Sequence, residues 1–138
     1  MRNTNSPLIS SAALHFAFIT PFILYGIYVP QIPYVFIELF TSLYMVFWNV
    51  YEPEDDDTGL VYKYLINLCV CSELMYVSKS KPKVFGCIIL NLIDLAFWIV
   101  LNPLDRYSDG FEINTSIWQI IHSTKSFIMA GVIAKTFP

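Results

Sequence analysis

Asp94 and Lys125 are the residues whose types and placement most invite chemistry. Each is an ionisable side chain set in an otherwise apolar run, 84–101 for the first and 117–134 for the second. Charges in such runs are expensive unless they are partnered or wetted. Asp94 stands seven residues before the end of its run, and Lys125 eight after the start of its own. At about 1.5 Å of rise per helical residue, both lie about 11 Å in from the same end of two antiparallel helices. The expectation is an Asp94–Lys125 ion pair.

Each charge has polar company at helical spacing. Cys87, Asn91, Asp94 and Trp98 share one face, as do Ser116, Gln119, Ser123 and Ser126, with His122 and Lys125 beside them. A third stripe holds Glu38, Thr41, Ser42, Met45 and Asn49. Stripes that face one another enclose a polar interior, in which Asp94, Lys125, His122, Asn91 and Glu38 are the candidate pathway residues. His15 and His122 suit a proton relay. The same groups equally serve as glue between helices, at about 0.6 kcal/mol for each interhelical hydrogen bond. Glu38 and Glu73 are expected nearer the end that carries Lys79, Lys81 and Lys83, as surface pairs reached by snorkelling.

Other spacings carry less. Asp57-Thr58-Gly59 has the letters of an aspartic-protease triplet, but that chemistry needs two carboxylates sharing a proton, and no second copy occurs. Asp105, Asp109 and Gly110 resemble the start of a calcium loop that lacks its closing bidentate acid, since Ser116 stands there. The run Glu52, Glu54, Asp55, Asp56, Asp57 reads as a solvated joint. Asn114-Thr115-Ser116 is a glycosylation sequon too close to an apolar run for a glycosylating enzyme to reach. Cys69, Cys71 and Cys87 all lie in apolar runs, and are expected as reduced thiols packing as small hydrophobes. No nucleophile elbow, phosphate-binding glycine loop or metal-ligand spacing is present, so neither metal nor cofactor is expected, and no catalytic residue.

The elements that must position these groups follow from composition. The 138 residues are 56% hydrophobic, 17% aromatic and only 14% charged, against about 25% charged in a typical soluble domain. A net charge of −3 leaves no basic footprint for nucleic acid. A bilayer core of about 30 Å takes about 20 helical residues, and five runs approach that length: 10–29, 34–50, 60–77, 84–101 and 117–134. The reading is an all-α, polytopic integral membrane bundle, a single membrane domain over residues 1–138. Its alternative is four spans plus an interfacial fifth helix, because the polar first half of the last run inserts poorly without Asp94 as partner to Lys125. The first run is longer than a signal core of about 7–15 residues and lacks a cleavage site, so it is read as retained. Pro21 is expected to kink it. Residues 30–33 form a tight turn, and Tyr28, Tyr34, Tyr51, Tyr62, Tyr76, Tyr107 and Trp118 suit interfacial belts. Four cations (Lys79, Lys81, Lys83, Lys135) against three (Arg2, Lys63, Arg106) orient the chain N-out, C-in.

With so little chain outside the bilayer, the expected function is that of a non-catalytic accessory or structural subunit of a larger membrane assembly. Its partners are then lipid and other membrane subunits or further copies of itself. The alternative is a small oligomeric transporter or channel linked to protons or cations.

Overall fold

The computed structural model describes residues 5–26, 32–51, 56–101 and 110–136, with all side chains except those at 19, 21–26, 32, 35, 56–60, 62 and 136. Five helices occupy nearly all of them, and no strand occurs among the described residues: α1 (Pro7–Gly26), α2 (Ile32–Tyr51), α3 (Asp56–Val77), α4 (Lys81–Leu101) and α5 (Phe111–Thr136).

The helix starts follow local chemistry. Ser6 caps α1: its hydroxyl accepts from the Leu8 N–H at 3.3 Å and its carbonyl from the Ile9 N–H at 3.2 Å. Pro7 then sits at the first helical position, where its missing N–H costs nothing. Pro33 and Pro82 likewise fall in the first turns of α2 and α4. Between α3 and α4 the chain reverses in three residues, held by the Ser78 hydroxyl on the Met75 carbonyl at 2.7 Å and the Ser80 N–H on the Val77 carbonyl at 3.0 Å.

Each helix packs on the next in chain order, and α5 closes the ring against α1 while also touching α3. Five alternating elements make α1 and α5 parallel, in constant register: Ser11 meets Gln119 and His15 meets Ser123, both 108 residues apart. The burial pattern is inverted relative to a water-soluble bundle. Seventeen of the buried described residues are polar or charged and twelve are apolar. Large apolar side chains point outward instead: Phe36, Phe40, Leu43, Phe47 and Tyr51 line the outer face of α2, and Phe85, Leu92, Ile99 and Val100 that of α4.

Several expectations shift. α1 begins at Pro7 rather than 10 and continues as helix through Pro21. α5 begins at Phe111, six residues before 117, so the sequon lies inside it with Thr115 and Ser116 buried. Tyr34, Tyr76 and Trp118 are interior residues, not belt residues, while Tyr51 is exposed at the end of α2. Tyr28, Tyr107, the 30–31 joint and Glu52, Glu54 and Asp55 lie outside the described residues. Among the described residues one helix, α4, is long and apolar enough to cross a membrane, with Pro7–Phe18 a shorter apolar stretch. Helices α3 and α5 carry more polar side chains, notably Lys63 and Glu73 on α3 and the stripe on α5.

The apolar part of the interior gathers at one end. Tyr34, Tyr76, Val77, Cys87, Met129, Ala130 and Ile133 form one cluster near the α3–α4 reversal, with Leu74, Val84, Leu90 and Val132 packed around it. Ile133, 1% exposed, is embedded there. Replacing it with Val should cost about 0.5–1.5 kcal/mol, read as a lowered unfolding midpoint in detergent.

Candidate functional site

The site is the polar half of the interior, and every helix contributes to it. α2 turns its whole stripe inward: Glu38, Thr41, Ser42, Met45 and Asn49 are all buried. α5 does the same with Ser116, Gln119, His122, Ser123, Lys125 and Ser126. On α4 only Cys87 and Asp94 are buried, with Asn91 half-buried between them. α1 supplies Ser11 and His15, and α3 supplies Cys69 and Glu73. The hydroxyls are tied locally as well. Ser42, Thr41, Ser123 and Ser116 each donate to the carbonyl four residues earlier, so they satisfy themselves on their own helix.

The ionic pairing differs from the expected one. Lys125 donates to Glu73 Oε1 at 3.1 Å, and Asn91 Nδ2 donates to Glu73 Oε2 at 2.9 Å, so both carboxylate oxygens are held. Asp94 meets His122 instead, Nδ1 to Oδ2 at 2.7 Å. The reason is the earlier start of α5. Lys125 lies fourteen residues beyond Phe111, twice the seven that separate Asp94 from Leu101. His122, one turn before Lys125, is the α5 residue whose ring reaches Asp94. Glu38 and Glu73 are also not surface residues: they are 1% and 0% exposed.

The two histidines stack with ring centroids 5.3 Å apart and 14° between planes, and Trp118 stacks on His122 at 5.2 Å. His15 Nδ1 lies 3.1 Å from Ser123 Oγ, and its Nε2 is 3.9 Å from Glu38 Oε2. Ser11 hydrogen-bonds Gln119. From the α1–α5 contact at Ser11 and Gln119, polar groups thus continue through the stacked histidines to Glu73 and Lys125, where the apolar cluster begins. Thr41 Oγ1 touches Cys69 Sγ at 3.1 Å. The three cysteines are free thiols, Cys71 exposed and the other two buried.

Sequence reasoning missed Glu73 as the partner of Lys125 and the approach of His15 to Glu38. Glu73 stands four residues from the end of α3, which alone places it near the rim. The signal available was a third acid, Glu73, set in an apolar run in addition to Glu38 and Asp94 on the stripes. No group of three or more histidine, cysteine or acidic side chains among the described residues could hold a metal ion. The arrangement can hold charge and protons in a fixed geometry. The chain matches no known protein-family model, no curated protein and no solved structure.

Proposed function

We propose that the chain is a multi-pass membrane protein, N-out and C-in, that serves as a non-catalytic accessory or structural subunit of a larger membrane assembly. The observation that carries this reading is the inverted burial, with charges and amides inside and Phe, Leu and Ile outside. In water such a surface would be a large aggregation liability, whereas in lipid it is the required one, and helices α1, α2, α3 and α5 then cross beside α4. The interior supports a structural role because two of its acids are tied across helices: Glu73 is held by Lys125 and Asn91, and Asp94 by His122. A channel needs a polar route from face to face, and the cluster around Met129 and Ile133 interrupts that route near the α3–α4 reversal. The transporter reading is therefore less well supported.

The test pairs two measurements on the full chain. Native membranes are solubilised in mild detergent and separated without denaturation, and the purified chain is reconstituted in liposomes loaded with a pH-sensitive dye. The reading expects migration well above the mass of one copy, and proton and potassium leakage equal to that of empty liposomes. A chain that migrates alone and carries a flux sensitive to Asp94→Asn overturns it.

A further inference from the structure

Ser123 decides where the hydrogens on His15 must be. Its hydroxyl has one hydrogen, and that hydrogen is spent on the Gln119 carbonyl at 2.6 Å. Towards His15 Nδ1, 3.1 Å away, Ser123 Oγ can therefore only accept, so Nδ1 carries a hydrogen. In the neutral ring this leaves a lone pair on Nε2, facing Glu38 Oε2 across 3.9 Å. A lone pair opposed to an ionised carboxylate repels, and both groups are fully buried. Neither Glu38 oxygen nor His15 Nε2 has a hydrogen-bond partner among the described residues.

The surrounding groups relieve Glu38 only in part, because those that favour its charge are shared with other acids. Tyr34 lies one turn from Glu38 on α2, Glu73 faces it from α3, and His122 and Lys125 from α5. Lys125 is already engaged by Glu73, and Asp94 of α4 by His122. A buried carboxylate with no hydrogen-bond donor of its own is neutralised by a proton.

We propose that Glu38 and His15 form a proton-binding site inside the bundle, holding one proton on the line between Glu38 Oε2 and His15 Nε2. As the O–H bond of the carboxylic acid breaks, the N–H bond of the imidazolium forms, with no change in net charge. The stack sets the preference. An imidazolium at His15 would lie in the stack, 5.3 Å from the ring of His122, with the Lys125 ammonium also facing it from α5. A second cation beside Lys125 is repelled, so the proton rests on Glu38 and reaches His15 by transfer along that line. The inference needs the interior to be shielded from water, but not the accessory role.

The full chain in lipid nanodiscs, studied by infrared spectroscopy and by NMR of nitrogen-15-labelled histidine, tests it. The wild type at neutral pH should show either a protonated-carboxyl C=O band or a His15 imidazolium signal. Glu38→Gln, close in shape, should abolish that band or signal, while Asp94→Asn should retain one of the two. The wild type alone keeps the proposal falsifiable if the variants misfold, since absence of both features at neutral pH overturns it. So does a band unaffected by Glu38→Gln, or one that disappears with added sodium at constant pH, which would make a metal cation the ligand.

Discussion

Lys125→Met and Glu73→Gln, made singly, are each expected to destabilise the bundle by about 3–5 kcal/mol. Each change leaves a buried charge without its partner in surroundings that cannot solvate it. Lys125 is 4% exposed and Glu73 0%, and their contact at 3.1 Å is a direct ionic link between α3 and α5. The double variant Glu73→Gln/Lys125→Met removes both charges and should recover most of that loss, because replacing a buried pair by neutral groups is often close to neutral. Asn91 keeps an acceptor in the glutamine carbonyl. The readout is the unfolding midpoint in detergent for the four proteins of the cycle. Equal and additive losses would mean that the two side chains act independently, contrary to the geometry.

Leu43→Lys on α2 and Leu92→Lys on α4 are expected to impair membrane insertion, each by about 2.5–3.5 kcal/mol at a helix centre. Both leucines are about half exposed, at 49% and 57%, and both stand near the middle of their helices. On the surface of a water-soluble protein such changes would stay within about 0.5 kcal/mol, so the sign and size of the effect distinguish the two environments. Leu43 is the more telling position, because among the described residues α4 is the one helix that meets the length and composition expected of a span. The fraction of chain integrated into membranes, measured by alkaline extraction, gives the result. Full integration of Leu43→Lys would place the outer face of α2 in water.

Much of this was legible in the residue order. The stripe from Glu38 to Asn49 and the one from Ser116 to Ser126 face inward because a period of three to four residues fixes a helix face regardless of its neighbours. The partners of the charges were not legible, because partner choice depends on where a helix starts and how it is rotated. With α5 starting six residues earlier, Lys125 lies deeper than Asp94 and meets Glu73, while Asp94 pairs with His122 one turn before it. Glu73 was hidden by its place near the end of α3, where a charge ordinarily reaches for the interface. What buries it is the lateral contact of α3 with α5, and no local pattern announces such a contact. Tyr34, Tyr76 and Trp118 misled for a related reason. Aromatic rings near helix ends suit an interfacial belt, but these three fill the interior, where Tyr34 and Tyr76 pack edge to face.

The central claim is that all five helices cross the bilayer around a polar interior. Single cysteines placed in a background free of Cys69, Cys71 and Cys87 test it most directly, using a maleimide that cannot pass a membrane. Ser78→Cys in the α3–α4 reversal and Lys135→Cys at the end of α5 should label from one side of sealed vesicles, and Gly110→Cys at the start of α5 only from the other. A single crossing by α4 would instead put Gly110→Cys and Lys135→Cys on the same side, and that result would contradict the five-helix account.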